Sequence, residues 1–162
     1  MRHLEQTLPD MIENNHRILI FSQFPSFLSH IQALLNKQNF PFLYIDGQTK
    51  NRQKLVDEFQ DGDIPIFLIS LKAGGTGLNL TAADTVIHMD PWWNPAVENQ
   101  ASDRAHRIGQ KRSVSVYKYI VKESIEEKIL ILQEKKKALF EQVLSGSNKG
   151  KLSAEDIRFI FE

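Results

Sequence analysis

Apolar residues occur along this chain in two different patterns. Short, nearly continuous apolar runs predict strands that are buried on both faces, and longer segments with apolar residues three or four positions apart predict helices. Four such runs lie at residues 17–22, 42–45, 64–70 and 85–89, and an alternating run at residues 114–121 predicts a fifth or sixth strand. Strands of this kind that alternate with helices are typical of a mostly parallel sheet covered on both faces. We therefore predict an α/β fold.

The segments between the predicted strands have apolar residues at helical spacing. One helix is expected to begin at Pro25, because proline suits the first helical turn, and another runs from Arg52 until the stretch 61–63 ends it. A third is expected from Pro95 to about Arg107. Ligands on a parallel sheet bind beyond the carboxyl ends of its strands. The loops of interest are therefore residues 22–25, 46–50, 70–80 and 90–95.

The C-terminal part of the chain has no strand pattern. Ser124 and Glu127 have the spacing of a capping box, which starts a helix. The apolar positions of the long helix predicted after them are Ile125, Ile129, Leu132, Leu139, Val143 and Leu144. Residues 145–161 predict a small-residue linker and then a short second helix. We therefore divide the chain into a lobe, residues 1–122, and a helical extension, residues 123–162, that packs on the lobe or bridges from it.

Composition narrows the classes of function. The 162 residues include 20 Lys+Arg and 20 Asp+Glu, so the net charge is zero and any nucleic-acid affinity must come from local patches. The chain has no cysteine, and its five histidines lack metal-ligand spacing, so we expect neither disulfides nor a bound metal. No apolar run is long enough for a membrane span, and the N-terminus has no signal-peptide core. We therefore expect a cytoplasmic protein without a membrane partner.

A glycine-rich loop follows the third predicted strand, with the sequence SLKAGGTGLNL at residues 70–80. Glycines allow backbone N–H groups to approach an anion closely, and Lys72 adds a positive charge beside them. The loop lacks the Gly-Lys-Ser/Thr ending of a Walker A motif, so it is not a P-loop. From these residues alone, a tight turn after a strand explains the pattern as well as an anion-binding loop does.

Gln100, Arg104 and Arg107 are spaced so that a continuous helix would place all three on one face. Arginine is costly to bury, and its rigid fork of donors suits phosphate oxygens. An arginine held against a transferring phosphoryl group stabilises the charge of the transition state. Spacing alone leaves a simpler alternative open, in which these are surface arginines paired with Asp103 or Glu98.

Two tryptophans and two prolines follow the fourth predicted strand, in the sequence DPWWNP at residues 90–95. One ring, Trp92 or Trp93, is expected to fill the core beneath the loop. The other is expected to pack against a nucleic-acid backbone or sugar, because aromatic rings beside basic residues are common in channels that follow a nucleic-acid strand.

Three stretches together closely resemble the SWI/SNF-type chromatin-remodelling ATPases of helicase superfamily two. They are KAGGTGLNLT at residues 72–81, DPWWNPA at residues 90–96 and QASDRAHRIGQ at residues 100–110. They match the family's motifs V, Va and VI, and residues 17–24 resemble its motif IV. The resemblance spans residues 15–145 and implies a RecA-like three-layer domain, the C-terminal helicase lobe. Residues 152–158 resemble the C-terminus of bacterial members, so a bacterial, nucleoid-associated protein is expected.

The resemblance implies a role for several residues. Arg107 matches the family's arginine finger, and Arg104 matches a neighbour that also faces the nucleotide, so these two are the expected catalytic residues. The residues expected to bind ATP are Gly77, Asn79, Gln100, Arg104 and Arg107. The residues expected to contact DNA are Ser22, Gln23, Ser70, Lys72, Ala73, Gly74 and Trp93.

The chain also departs from a complete ATPase of this family, which carries a Walker A lysine and a DExx box for Mg²⁺ on a first lobe. Neither occurs here, since Asp57-Glu58 is followed by Phe59-Gln60 inside a predicted helix. The resemblance therefore implies half of an ATP site, with ATP and Mg²⁺ held by a first RecA-like lobe upstream in the same polypeptide. It implies double-stranded DNA, and a protein complex bound to that DNA, as further partners. The isolated chain is expected to be inactive.

Two other classes of function stay open. In the first, the chain is a non-catalytic remnant lobe that binds DNA or a protein, and the polypeptide has no first lobe. In the second, it is a free-standing nucleotide enzyme of doubly wound fold. The second is disfavoured, because the sequence has neither a P-loop nor a dinucleotide-binding fingerprint.

Overall fold

The structure is a computed structural model that describes residues 2–74, 77–92, 95–105, 110, 112–121 and 124–144. The chain begins with α1 (Arg2–Glu13), β1 (Ile18–Ser22), α2 (Pro25–Lys37), β2 (Phe42–Ile45), α3 (Arg52–Asp61) and β3 (Ile66–Ser70). It continues with α4 (Leu71–Gly74), β4 (Thr85–His88), α5 (Pro95–Ser102), β5 (Ser115–Lys118) and α6 (Ile125–Leu144).

In the described part of the chain the strands form one sheet in the order β2-β3-β1-β4-β5, and every neighbouring pair is parallel. The predicted α/β fold with a parallel sheet is confirmed. Strand β2 has the predicted bounds, whereas β3 begins at Ile66 instead of residue 64. Pro65, just before it, has no N–H for the sheet, but its carbonyl accepts a hydrogen bond from the N–H of Ile18 (2.8 Å).

Alternate residues of β1 face opposite sides of the sheet. Ile18 and Ile20 pack with α1 and α2, whereas Leu19 and Phe21 pack with α3, α4 and α5. All four side chains are fully buried. Each face of the sheet therefore has its own apolar core, which gives the three layers expected of a RecA-like domain.

The N-terminal helix α1 is absent from the sequence prediction, because it contains Pro9. Leu4 and Leu8, one turn apart, are fully buried on its inner side. Pro9 has no N–H to give to the carbonyl of Glu5, and the side-chain amide of Gln38 donates to that carbonyl instead (3.3 Å). A residue at the end of α2 thus compensates for the hydrogen bond that proline removes.

Strand β5 is shorter than predicted and lies at the edge of the sheet, with all four residues exposed. Helix α6 confirms the predicted long helix and begins directly after Ser124. Gln133 is buried at 6% exposure, whereas Leu132, one of the expected apolar positions, is 42% exposed. The linker and helix predicted at residues 145–161 lie outside the described residues. The division of the chain after residue 122 stays a prediction.

Helix α5 is shorter than predicted. It ends at Ser102, and the chain continues as turns in which the N–H of Arg104 donates to the carbonyl of Ala101 (3.2 Å). A bond to the third residue back tightens the chain and ends the helical geometry. The prediction of a continuous helix that carries Gln100 and Arg104 on one face is therefore wrong. Arg107, at the predicted end of that helix, lies outside the described residues.

Candidate functional site

The carboxyl ends of the parallel strands meet at one edge of the sheet, where such folds bind ligands. Ser22 ends β1 and Ser70 ends β3, and the two residues lie side by side in register. The Oγ of Ser22 accepts a hydrogen bond from the N–H of Phe24 (3.1 Å) and so shapes the turn into α2. Ser22 is 0% and Ser70 is 2% exposed, so their side chains offer almost no surface for the DNA contact expected of them.

The glycine-rich loop begins with the one-turn helix α4. Lys72 is exposed and Ala73 is fully buried, while residues 75–76 lie outside the described part of the chain. Gly74 is the last residue of α4. Gly77 has a φ of 72°, and a Cβ added there would meet no heavy atom within 4 Å. This position therefore favours glycine because of its left-handed backbone and not because of crowding.

The loop after Gly77 runs against the turn that carries Arg104. Leu78 and Leu80 are buried, and Asn79 between them is exposed. The N–H of Leu80 donates to the carbonyl of Arg104 (3.0 Å). This hydrogen bond joins two motifs that are expected to bind the nucleotide. One is the loop with Gly77 and Asn79, and the other is the turn with Arg104.

Arg104 is only 3% exposed, contrary to the expectation that an arginine here would stay out of the core. Gln100, the first residue of the same motif, is exposed on α5. Glu98, an alternative partner for the arginines, is in ion-pair contact with Lys118. The arginine-finger assignment of Arg107 lies outside the described residues and stays a prediction.

Gln110, which ends the third motif, holds separate segments together. Its Nε2 lies within hydrogen-bond distance of the carbonyl oxygens of Thr81 (3.0 Å), Ala83 (2.6 Å) and Ala105 (3.2 Å). Its Oε1 accepts a hydrogen bond from the N–H of Arg112 (2.9 Å). The sequence analysis gives Gln110 no role, although the residue belongs to the third motif.

The loop formed by residues 90–92, after β4, is tied to the loop after β1. The Oδ2 of Asp90 accepts a hydrogen bond from the backbone N–H of Gln23 (3.0 Å), and Gln23 Nε2 lies 3.5 Å from the carbonyl oxygen of Pro91. The connections from β1 and β4 leave in opposite directions along the sheet. This point is therefore the topological switch, where ligands of parallel sheets bind.

Trp92 is half-buried and packs against the core on the α5 side of the sheet, as expected for one of the two rings. Its backbone N–H donates to Glu98 Oε1 (2.5 Å), and its carbonyl accepts a hydrogen bond from Gln133 Nε2. Trp93 and Asn94 lie outside the described residues. The DNA contact expected of Trp93 stays a prediction.

A cluster of buried polar side chains beneath this loop was missed by the sequence analysis. Glu98 is 1% exposed, and its carboxylate contacts Lys118 Nζ and Gln133 Nε2, the latter at 3.1 Å. His88 is equally buried, and its Nε2 lies 2.9 Å from Ser102 Oγ. Burial lowers the pKa of His88 to about 4, with Glu98 opposing the shift and Lys118 adding to it. No sequence pattern marks this cluster, because its members come from four elements.

The loop of interest at residues 46–50, after β2, begins as a closed turn at Asp46-Gly47. Asp46 Oδ1 accepts hydrogen bonds from the N–H of Gln48 (2.9 Å) and from Thr49 Oγ1 (3.0 Å). These bonds hold the pKa of Asp46 below its ordinary value. Arg52 Nη2 donates to the carbonyls of Asp46 (3.2 Å) and Gly47 (3.1 Å), so this arginine stabilises its own turn.

Carboxylates at the carboxyl edge are engaged by the protein itself. Asp46, Asp90 and Glu98 each accept hydrogen bonds from neighbouring residues. Within the described ranges, no group of three or more His, Asp or Glu side chains is arranged to hold a metal ion. In the same part of the chain, no helix has both the length and the apolar character needed to cross a membrane.

Known proteins are similar to this chain in sequence and in fold. A family model for the helicase conserved C-terminal domain matches residues 1–109. The chain is 52% identical over 136 residues to the DNA repair protein RAD5 of Mycosarcoma maydis. The aligned region is 80% of this chain and 10% of that protein. It is 44% identical over 142 residues to an uncharacterized ATP-dependent helicase of Mycoplasma pneumoniae, and this aligned region is 86% of this chain and 14% of that protein.

The likeness extends to a solved structure. The crystal structure of the C-terminal part of the Fun30 ATPase domain matches with a TM-score of 0.78 and 38% identity, over 96% of this chain and 47% of that one. This match confirms the RecA-like lobe. The chain spans only 10% and 14% of the two relatives, which come from a eukaryote and a bacterium, so the expected bacterial source stays a prediction. The chain belongs to the helicase conserved C-terminal domain family, as the C-terminal lobe of a SWI/SNF-type ATPase.

Proposed function

We propose that this chain is the second motor lobe of an ATP-dependent translocase that moves on double-stranded DNA. The observation that carries the proposal is the meeting of the glycine-rich loop and the arginine turn, through the Leu80–Arg104 hydrogen bond at the carboxyl edge of the sheet. A lobe with arginines but no P-loop completes a nucleotide site only together with a lobe that cradles the phosphates. We therefore propose a first RecA-like lobe of the same polypeptide as the partner.

Arg107 is the arginine finger in this proposal. When ATP draws the two lobes together, its guanidinium reaches the γ-phosphate and neutralises charge that develops in the transition state. Arg104 supports it from a buried position behind the glycine-rich loop, where a positive charge acts through a low dielectric. Gln100 and Asn79, both exposed, are available to the nucleotide.

Mg²⁺ is proposed to bind the first lobe together with ATP. This ion takes oxygen ligands, chiefly carboxylates and phosphates. The carboxylates of Asp46, Asp90 and Glu98 already accept hydrogen bonds within this lobe. The residues described here fit the triphosphate side of the site better than they fit the metal.

Contacts with the DNA backbone are proposed at the same edge. Lys72 is exposed on α4, two residues before Gly74, and Gln23 is half-buried at the switch point. Trp93 follows the loop to which Gln23 is tied. Ser22, Ser70 and Ala73, which are buried, are proposed to contact the DNA backbone through their own main-chain groups. Phosphate contacts carry no sequence information, so binding is expected to be independent of sequence and to weaken as salt rises.

The test is the substitution Arg107→Ala in the protein that contains both lobes. ATP turnover is expected to fall about 10³-fold, because the arginine acts on the transition state, while DNA affinity stays nearly unchanged. Arg112→Ala is the matched control, since Arg112 has a 62% exposed side chain that pairs with Asp84 at the opposite edge of the sheet. Near-normal turnover in Arg107→Ala would contradict the proposed role.

The competing function is a non-catalytic lobe that binds DNA or a protein. Immunoblotting of source-cell lysate measures the native size of the polypeptide, and a band several-fold above 18.7 kDa is expected. A band near 18.7 kDa would favour the non-catalytic lobe. The 162-residue chain alone is expected to show no ATP turnover, and measurable turnover would favour a free-standing nucleotide enzyme.

A further inference from the structure

A buried carboxylate connects the C-terminal helix with the 90–92 loop. Glu98, on α5, is 1% exposed and contacts three other segments of the lobe. Its Oε1 accepts hydrogen bonds from the N–H of Trp92 (2.5 Å) and from Gln133 Nε2 (3.1 Å), and its Oε2 is in ion-pair contact with Lys118 Nζ. A carboxylate removed from water is tolerated only while such partners stay in place. The arrangement of α5, β5, α6 and the loop is therefore fixed at one point.

Gln133 is the residue through which α6 joins this point. It is buried, whereas Ile131, Leu132 and Glu134 beside it are exposed. Its Nε2 donates to the carboxylate of Glu98 and also to the carbonyl of Trp92. Glu98 accepts from the N–H of that same tryptophan. Both backbone polar groups of Trp92 are thus held, one by α5 and the other by α6.

The opposite end of the 90–92 loop is fixed separately. Asp90 accepts the backbone N–H of Gln23 at 3.0 Å, which anchors the loop to the end of β1. The Trp92 end contacts α6 through Gln133, and Trp93 follows Trp92 directly in the chain. A change in the position of α6 would therefore move the part of the loop nearest to Trp93.

We propose that Glu98 and Gln133 are positioning residues for DNA engagement, which transmit the placement of α6 to the 90–92 loop. This inference rests on the proposed function, because it takes the residues after this loop as facing DNA. Both side chains are buried and act through Trp92 without touching DNA or nucleotide. Their loss therefore changes the affinity for DNA more than the maximal rate of ATP turnover.

The first test measures ATP turnover against the concentration of double-stranded DNA, in the protein that contains both lobes. Gln133→Met keeps the length and helix propensity of the side chain but removes its amide donor. The DNA concentration for half-maximal turnover is expected to rise about tenfold, as for the loss of one hydrogen bond to a charged group. Maximal turnover is expected to change less than about twofold, since no group that acts in the transition state is removed.

Two further variants separate positioning from simple destabilisation. Gln133→Lys restores a donor of similar reach and is expected to return the half-saturating DNA concentration to the wild-type value. Glu134→Met is the matched control, because it places the same side chain on the exposed neighbouring position. It is expected to leave both kinetic quantities unchanged.

A fluorescence measurement on the 162-residue chain tests the linkage without ATP or DNA. The chain has two tryptophans, so Trp93→Phe leaves Trp92 as the only fluorophore of its kind. In that background, Gln133→Met is expected to raise the quenching of Trp92 by acrylamide about twofold, because the loop opens locally more often. Glu134→Met is expected to have no effect.

An unchanged half-saturating DNA concentration in Gln133→Met, or a loss confined to maximal turnover, would overturn the inference. If the wild-type protein shows no DNA-stimulated turnover, the proposed function fails instead, and the quenching of Trp92 alone decides whether α6 controls the loop. If Gln133→Met does not fold, Gln133→Asn carries both measurements. That variant withdraws the amide by one methylene, and the expected directions are the same.

Discussion

Acidification from pH 7 to pH 5 is expected to destabilise this chain through the side chain of His88. The imidazole is 1% exposed, stacks on Phe21 with ring centroids 5.5 Å apart, and has its Nε2 2.9 Å from Ser102 Oγ. Burial, together with the nearby Lys118, lowers its pKa from 6.5 to about 4, although Glu98 opposes the shift. The folded state therefore keeps this ring neutral.

The sign of the effect follows from the order of the two pKa values. The pKa of the unfolded state is the higher one, so the unfolded chain takes up the proton first. Stability from neutral His88 is complete above pH 6.5 and is lost as the pH falls from there toward 4. The slope approaches about 1.4 kcal/mol per pH unit in this window, which gives a loss of about 2 kcal/mol between pH 7 and pH 5.

Urea unfolding of the 162-residue chain, followed by circular dichroism at pH 7, 6 and 5, measures this loss. His88→Gln keeps a neutral polar group near Ser102 and cannot titrate. The variant is expected to be less stable at pH 7 but to lose about 2 kcal/mol less than wild type on acidification. Equal losses in both proteins would refute the reasoning. Asp46 and Asp84 have pKa values lowered from 3.8, so their contributions disappear below this window.

Three further predictions concern the core, one glycine and DNA binding. Phe59→Ala removes a fully buried ring and is expected to cost about 3–5 kcal/mol in urea unfolding, whereas Phe24→Ala, at a 52% exposed ring, should cost less than about 1 kcal/mol. Gly77→Ala is expected to cost about 1–2 kcal/mol because of its φ of 72°, and Gly47→Ala, also uncrowded, much less; similar costs would contradict a backbone origin. Lys72→Ala is expected to reduce the slope of log affinity for DNA against log salt by about 1, and an unchanged slope would remove Lys72 from the phosphate contacts.

Much of the fold is visible in the sequence, because strands buried on both faces leave continuous apolar runs. Strand β2 was predicted at its observed bounds, and β1, β3 and β4 within two residues. Helix α1 was missed, because a proline in its interior argues against a helix until Gln38 is known to satisfy the carbonyl of Glu5. The end of α5 was misplaced, because the spacing of Gln100 and Arg104 fits a helix that the turn at Ser102 interrupts.

The candidate site was predictable only where chemistry lies in a local motif. The glycine-rich loop and the arginine turn are recognisable in the sequence, but their hydrogen bond joins Leu80 to Arg104 across 24 positions and depends on the fold. Glu98 and Gln133 are 35 positions apart and sit among ordinary helical residues. These two polar side chains form a hydrogen bond because both are buried where α6 packs on the lobe. No short sequence pattern encodes that packing.

The ion pair between Lys118 and Glu98 also affects how the sheet ends. Strand β5 is the last strand in the sheet, and an edge strand exposes backbone groups that can pair with a strand of another molecule. Lys118 turns its ammonium inward onto a buried carboxylate of the same lobe. An inward-pointing charge makes the addition of a further strand unfavourable. The lysine that fastens β5 to α5 thus helps to keep separate copies of the lobe from joining edge to edge, and so from aggregating at high concentration.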